Sequence, residues 1–292
     1  MKKSILLMII TSLIFGVIQG YSQEKATYNK IVDNIFVFNH NGTNYTIVTS
    51  DEGLLIIDTG YPGAATFADS TIRADFKLPV KYVVNTHYHY DHVGGNHLFA
   101  KNGAPIIAHK NTRKRMLIEW NMPEFQGLKY PVFPPYADEY LPDICFSDSL
   151  KIYFGNETID LIHLPPGHSD CDVIVCFKIE NIVVTGDVYL GIGFPPIDFT
   201  FDGYLASLSL LISMCDKNTV VISGHGPVTN LDELILFRET LTEGASRIKK
   251  LKSEGKTIDE IVAAEPLKGL MERSYVPEVV FIYCILNGPI NE

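Results

Sequence analysis

Three histidines and an aspartate fall within six positions of the run Asn85-Thr86-His87-Tyr88-His89-Tyr90-Asp91-His92-Val93-Gly94-Gly95. His87 and His89 are two residues apart, so an extended backbone points both imidazoles the same way, and Asp91 and His92 follow at a turn into the next helix. Four ligand atoms therefore converge without long-range folding. That is the chemistry of a metal site; a solvated His-rich loop is the alternative reading of the motif taken alone.

Three more residues sit where an apolar run ends and a loop begins. Residues 159–164 read as a strand, and the turn Pro165-Pro166-Gly167 delivers His168. Ile182-Val183-Val184-Thr185-Gly186 leads to Asp187, and Val220-Val221-Ile222-Ser223-Gly224 leads to His225, by the same design. Each apolar run supplies a rigid base, and a glycine lets the backbone turn so that the polar side chain faces a cleft.

The elements that must hold these residues are legible as periodic apolar segments. Strands are expected at 35–38, 45–48, 54–57, 82–84 and 106–108, with helices near 64–73 and 111–119. Further strands at 150–154, 158–164, 173–177 and 182–184 precede helices near 203–215 and 231–252. Asn230 before Asp232-Glu233, and the capping box Thr257-Ile258-Asp259-Glu260, supply helix starts in the tail. Two β-then-α halves imply two sheets packed face to face with helices outside. The segment 120–145, with Trp120, Phe125, Tyr130, Phe133, Tyr136, Tyr140 and five prolines, is expected to be a long semi-rigid loop, either walling a substrate pocket or packing onto the domain. The segment 191–199, Gly191-Ile192-Gly193-Phe194-Pro195-Pro196-Ile197-Asp198-Phe199, is expected to form the opposite wall.

With these marks in place the chain resembles the metallo-β-lactamase-fold hydrolases. The matching stretches are Gly53-Leu54-Leu55-Ile56-Ile57-Asp58-Thr59-Gly60, the cluster 87–92, Gly167-His168, Thr185-Gly186-Asp187 and Gly224-His225-Gly226-Pro227. The resemblance implies an α/β fold, an αββα sandwich of two facing mixed sheets. It also implies that His87, His89 and His168 bind a first metal, that Asp91, His92 and His225 bind a second, and that Asp187 bridges them. Asp58 would support the ligand loop as an anchor for a histidine.

A site rich in imidazole, with carboxylates and no thiolate, favours Zn2+, two ions per chain, with iron or manganese as alternatives. The implied activity is hydrolysis of an ester, thioester, lactone or lactam by a metal-bound hydroxide, with Asp91 taking and returning a proton. Dedicated β-lactamase action is an alternative. Against it, one zinc-β-lactamase subclass carries a cysteine where this chain has Asp187, and a lysine soon after where Leu190 stands. A second alternative is iron-dependent persulfide oxidation, because that branch shares the His-x-His-x-Asp-His pattern.

Composition bounds the rest. Lys2 and Lys3 precede an apolar run from Ile5 to Ile18, and Gly20-Tyr21-Ser22 offers small residues for cleavage, so residues 1–22 read as a signal peptide and the protein as exported, periplasmic or secreted. Residues 23–292 then form one domain that includes a C-terminal helical layer, with no later run of membrane-spanning length. Five cysteines, at 145, 171, 176, 215 and 284, give no disulfide framework, although one pair is compatible with an oxidising compartment. Cys171 reads as a small buried hydrophobe. The formal net charge of −10 opposes nucleic acid as a partner, and the basic clusters at 110–115 and 247–250 read as helix faces. A small-molecule substrate is expected.

Overall fold

The computed structural model describes residues 27–120, 132–271 and 275–288. The expected signal peptide and the central part of the aromatic loop lie outside the described residues.

Seven strands build the first sheet in chain order: β1 (Thr27–Val32), β2 (Ile35–His40), β3 (Thr43–Ser50), β4 (Gly53–Ile57), β5 (Val80–Val84), β6 (Ile106–His109) and β7 (Ile144–Phe146). The strands β1 to β4 pair antiparallel, and β4 to β7 pair parallel. The second sheet has the order β12 (Val220–Ile222), β11 (Ile182–Val184), β10 (Val173–Phe177), β9 (Glu157–His163), β8 (Ser149–Phe154). It is antiparallel except for the β11–β12 pair. Both sheets are therefore mixed, as the family resemblance implies.

Alternation along the strands explains the layering. Leu55 and Ile57 of β4 join Val37, Val84 and Ile107 against Leu161, Val173, Val175 and Val184 of the second sheet. Leu54 and Ile56 point the other way, with Ile47, Val83 and Phe99, onto helices α1 (Ala65–Phe76) and α3 (Asn96–Ala100). Strands covered on both faces have to be apolar at every position, which is why β4 and β10 are continuous apolar runs rather than alternating ones. The short helices α2 (Tyr90–Val93) and α4 (Lys110–Met116) lie between strands of the first sheet in the chain.

The outer face of the second sheet is covered by α5 (Phe201–Ser213), α6 (Leu231–Ser253), α7 (Ile258–Ala263) and α8 (Glu278–Asn287). Asn230 caps α6 by accepting from the Glu233 amide, and Thr257 and Glu260 form the expected capping box at α7. Within α8, Val279, Val280, Phe281, Ile282, Cys284 and Ile285 are all buried, so this helix is apolar around most of its circumference because it lies inside the helical layer. Among the described residues no helix is long and apolar enough to cross a membrane.

Helix α4 ends at Met116, three residues before the expected end. The amides of Leu117 and Ile118 bond to carbonyls three residues back, a tightening typical of a last turn. The described part of the aromatic loop is more regular than expected. Trp120 and Phe133 exchange two backbone hydrogen bonds of 2.9 Å, a 3-10 turn spans Asp138–Tyr140, and β7 extends the first sheet.

Candidate metal centre

The ligand candidates lie at the carboxyl ends of strands from both sheets. β4 runs into Asp58, whose backbone is left-handed at φ 60°. Such a conformation costs a non-glycine residue on the order of 1–3 kcal/mol and persists only when its surroundings hold it. Three hydrogen bonds do so. The Asp58 carboxylate accepts from the Thr86 amide (2.8 Å), the Thr86 hydroxyl (2.7 Å) and His92 Nδ1 (2.8 Å). Asp58 thus ties the end of β4 to the start of the His87–His92 segment, the supporting role expected of it.

The far nitrogen of every candidate imidazole is occupied. His92 Nδ1 donates to Asp58, and His87 Nδ1 donates to the Thr86 hydroxyl at 3.1 Å, since that hydroxyl spends its own proton on Asp58. His89 Nε2 donates to Asp198 Oδ2 at 2.8 Å. His168 Nδ1 donates to the Pro196 carbonyl at 3.0 Å, and His225 Nδ1 donates to the Gly42 carbonyl at 2.9 Å. Carbonyl and carboxylate oxygens only accept, so each neutral ring is left with its lone pair on the opposite nitrogen. Four Nε2 atoms and the Nδ1 of His89 point inward.

Those atoms gather with carboxylate oxygens into two groups, His87, His89, His168 and Asp187 in one, and Asp91, His92 and His225 in the other; within each, the ligand atoms lie within 4.8 Å of one another. His89 Nδ1 is 3.2 Å from His168 Nε2, and His92 Nε2 is 3.4 Å from His225 Nε2. A tetrahedral ion with bonds of ~2.0–2.1 Å spaces its ligand atoms by ~3.4 Å. Asp187 joins the groups. Its Oδ2 lies 4.0 Å from His87 Nε2, 3.9 Å from His168 Nε2 and 3.3 Å from His225 Nε2, while Oδ1 is 3.3 Å from His92 Nε2. Asp91 Oδ2 is 3.2 Å from His225 Nε2 and 3.6 Å from His92 Nε2.

The donors fit metal ions by a second test. His87 Nε2 and Asp187 Oδ1 are buried without a hydrogen-bond partner, a costly condition that a cation between them relieves. Electrostatics agree. Burial opposes charge on His92 and His225, yet Asp187 and Asp91 outweigh it, holding His92 well above the usual histidine range and raising His225 to about 10. His87, buried beside the imidazoles of His92 and His89, is held well below that range. Burial would raise the Asp187 carboxyl, but His225 and His92 draw it well down. The carboxylates therefore create a strong local demand for positive charge.

Two glycines permit this crowding. A Cβ on Gly224 would lie 2.1 Å from Asp187 Oδ1 and 2.9 Å from His92 Cε1. Gly186, at φ 51°, turns the chain beside Thr86, whose hydroxyl would lie 2.7 Å from a Cβ there.

Two residues at the site escaped the sequence reading. Asp198 is fully buried, with its carboxylate bonded to His89 and, at 2.7 Å, to the Tyr88 hydroxyl. Tyr275 lays its ring 5.0 Å from that of His225 and its hydroxyl 3.4 Å from His225 Nε2. No local spacing betrays either residue. The segment 191–199 has a split role: Phe194 and Ile197 sink into the core, with Phe194 against Phe281 at 4.7 Å, and this anchoring presents the Pro196 carbonyl and Asp198 to the histidines. On the other side Trp120 stands 6.1 Å from His89, and Phe133 stacks on Tyr90 at 4.0 Å. Packing there leaves a cavity of only about 20 Å³, so the described aromatics of that loop pack onto the domain. Cys171 is buried with Tyr88, Val93, Met116 and Leu141, and all five thiols are free.

Several known proteins are similar to this chain in sequence or fold. The chain is 30% identical over 153 residues to the hydroxyacylglutathione hydrolase of Pelagibacter ubique, covering 52% of this chain and 54% of that one. It is 27% identical to thioesterase pkgB of Emericella nidulans over 72% of this chain and 53% of that protein. The matches thus span about half the length of these two relatives. A solved structure of a metallo-beta-lactamase from Pontibacter korlensis superposes with a TM-score of 0.59 at 20% identity, covering 72% of this chain and 96% of that one, which is a likeness of fold. The model of the metallo-beta-lactamase superfamily matches residues 39–225, more than half of the chain and every candidate ligand from His87 to His225, and the chain belongs to that superfamily.

Proposed function

We propose that this chain is an exported, dinuclear zinc-dependent hydrolase that cleaves an ester or thioester bond in a small molecule. The observation that carries this reading is the pair of ligand groups sharing Asp187, with every imidazole already set in the ligating tautomer. When bound, such ions supply Lewis acidity to an acyl oxygen and lower the pKa of water to about 7. The protein does the positioning. His87, His89 and His168 would hold one ion, Asp91, His92 and His225 the other, and Asp187 both. The Asp91 carboxylate would take the proton of the attacking water and return it to the departing oxygen or sulfur. Its carboxyl suits the first of these tasks: burial would raise it, but His92 and His225 bring it below the usual carboxylate range, so it is ionised at neutral pH.

Thioester or ester cleavage is favoured over a dedicated β-lactamase role by the names of the two relatives above and by Leu190, which is fully buried where a substrate-gripping cation would otherwise stand. A phosphate-tracking role is disfavoured by how the basic clusters are spent. Arg115 pairs with Asp170 at 3.0 Å, Arg113 donates to the Pro142 carbonyl, and Arg247 pairs with Glu243 at 2.8 Å. Export rests on the basic start and apolar run of residues 1–22.

The test is metal analysis of the purified mature chain together with hydrolysis of a thioester, an aryl ester, a lactone and a chromogenic cephalosporin. Two equivalents of zinc, and a kcat/KM on the thioester or ester above about 10⁴ M⁻¹s⁻¹, are expected. Efficient turnover of the cephalosporin alone would move the reading to β-lactam cleavage, and a single iron with oxygen uptake on a persulfide would replace it.

A further inference from the structure

A cleft of about 870 Å³ opens between the turn Gly191–Gly193, helix α6 and residues 270, 271 and 275. That volume lies within the ~300–1,000 Å³ of small-molecule sites. Its wall is apolar over somewhat more than half, with Ile192, Leu236, Phe237, Leu270 and Met271 contributing. Leu236 is 55% exposed and Ile192 36%, a display of hydrocarbon to water that the metal centre does not use. Glu233 is the one charged side chain among the described lining residues, and no cation is among them.

The cleft adjoins the metal centre at Tyr275 and Gly191. Tyr275 belongs to its lining and has its hydroxyl 3.4 Å from His225 Nε2, and the α-carbon of Gly191 faces the His225 carbonyl, which a Cβ there would meet at 3.6 Å. A substrate whose scissile carbonyl reaches the ligand groups therefore extends past Tyr275 along α6. The bare glycines 191 and 193 keep that path open on one side, and Phe237, held edge-on by Tyr189 at 5.1 Å, gives the other side a firm floor.

Resting on the hydrolase reading above, we infer that this cleft is the substrate-chain subsite and that it takes an uncharged hydrocarbon chain of several carbons, carried on either side of the scissile bond. The wall gains free energy with each methylene it covers, and Glu233 is the charged side chain among its described residues. Tyr275, at the junction, is a positioning residue that steers the chain past His225.

The inference is tested on the metal-loaded protein with 2-alkanones from four to nine carbons, which carry a carbonyl but no leaving group, their affinities measured by calorimetry. Each added methylene is expected to tighten Kd about fourfold until the cleft is filled. Leu236→Glu, on the exposed face of α6, is expected to flatten that gradient, and Leu236→Met to keep it. Two kinetic series then separate the sides of the bond, one lengthening the acyl chain of an aryl ester and one lengthening the alcohol of an acetate; the series in which kcat/KM climbs marks the side that occupies the cleft. A chain-length gradient without turnover of any ester or thioester would keep the subsite and sink the hydrolase reading. Turnover of short esters with no gradient, or a glutathione thioester preferred over an octanoyl ester, would overturn the subsite and leave the hydrolase standing.

Discussion

The Asp198 carboxylate accepts a hydrogen bond from His89 Nε2 at 2.8 Å, across 109 residues of chain, and thereby decides that His89 Nδ1 is the nitrogen facing His168. Outer partners of this kind typically set metal affinity by ~10–100-fold. Asp198→Asn, which removes the charge that favours the ligating tautomer, is expected to weaken the first metal by that factor. Chelator competition measures it, and Tyr88→Phe, losing only the second bond to the same carboxylate, should cost less. Equal affinity in Asp198→Asn and the parent would remove Asp198 from the site.

Asp187 brings its carboxylate oxygens within 4.0 Å of imidazole nitrogens from both ligand groups. Asp187→Ala is expected to reduce the content of both metals and to lower hydrolysis by more than the ~100-fold ceiling of an outer partner. His87→Ala should deplete the first metal more than the second. Full activity in either variant without metal would be incompatible with the proposed mechanism.

Chelation should also destabilise the fold. Without the ions His87 Nε2 and Asp187 Oδ1 stay buried with no hydrogen-bond partner, and His92 and His225 must take up protons to balance Asp187 and Asp91. Ligand present at ~1,000 times its Kd contributes ~4 kcal/mol, which for a chain of this size is a fall of about 10 °C in Tm on treatment with chelator. Differential scanning fluorimetry with and without chelator, followed by zinc add-back, reads it directly; an unchanged Tm would argue that the cluster holds no metal.

A pH effect is expected away from the metals. His109 Nδ1 accepts from the Asn111 amide as the cap of α4, its other nitrogen donates to the Ser147 carbonyl, and its ring stacks on His163 at 3.8 Å. Burial, then His163, lowers it from 6.5 to about 4. The unfolded chain therefore takes up a proton that native His109 refuses between those values, so stability is kept above pH 6.5 and falls as pH drops through the window toward 4. His109→Asn keeps a capping acceptor and cannot titrate. Urea unfolding at pH 7.5, 6 and 5 should give a shallower decline for this variant than for the parent, and parallel declines would show that His109 contributes nothing to acid sensitivity.

What the sequence by itself determined is the part of the protein where chemistry is local. His87, His89, Asp91 and His92 converge because a strand end and one helical turn place them so, and His168, Asp187 and His225 each announce themselves by an apolar run and a glycine. Alternation and capping placed most strands and the starts of α6 and α7 for the same reason, since both depend on neighbours a few residues apart. Asp58 was legible only through family resemblance, because its partner His92 lies 34 residues away. Tertiary structure alone decided the tautomers of His89, His92, His168 and His225, each set by a distant acceptor: Asp198, Asp58, the Pro196 carbonyl and the Gly42 carbonyl. It alone brought Tyr275 to His225 and shaped the cleft along α6, because these depend on how the helical layer packs on the second sheet, and packing between segments far apart in the chain leaves no period or spacing in the sequence.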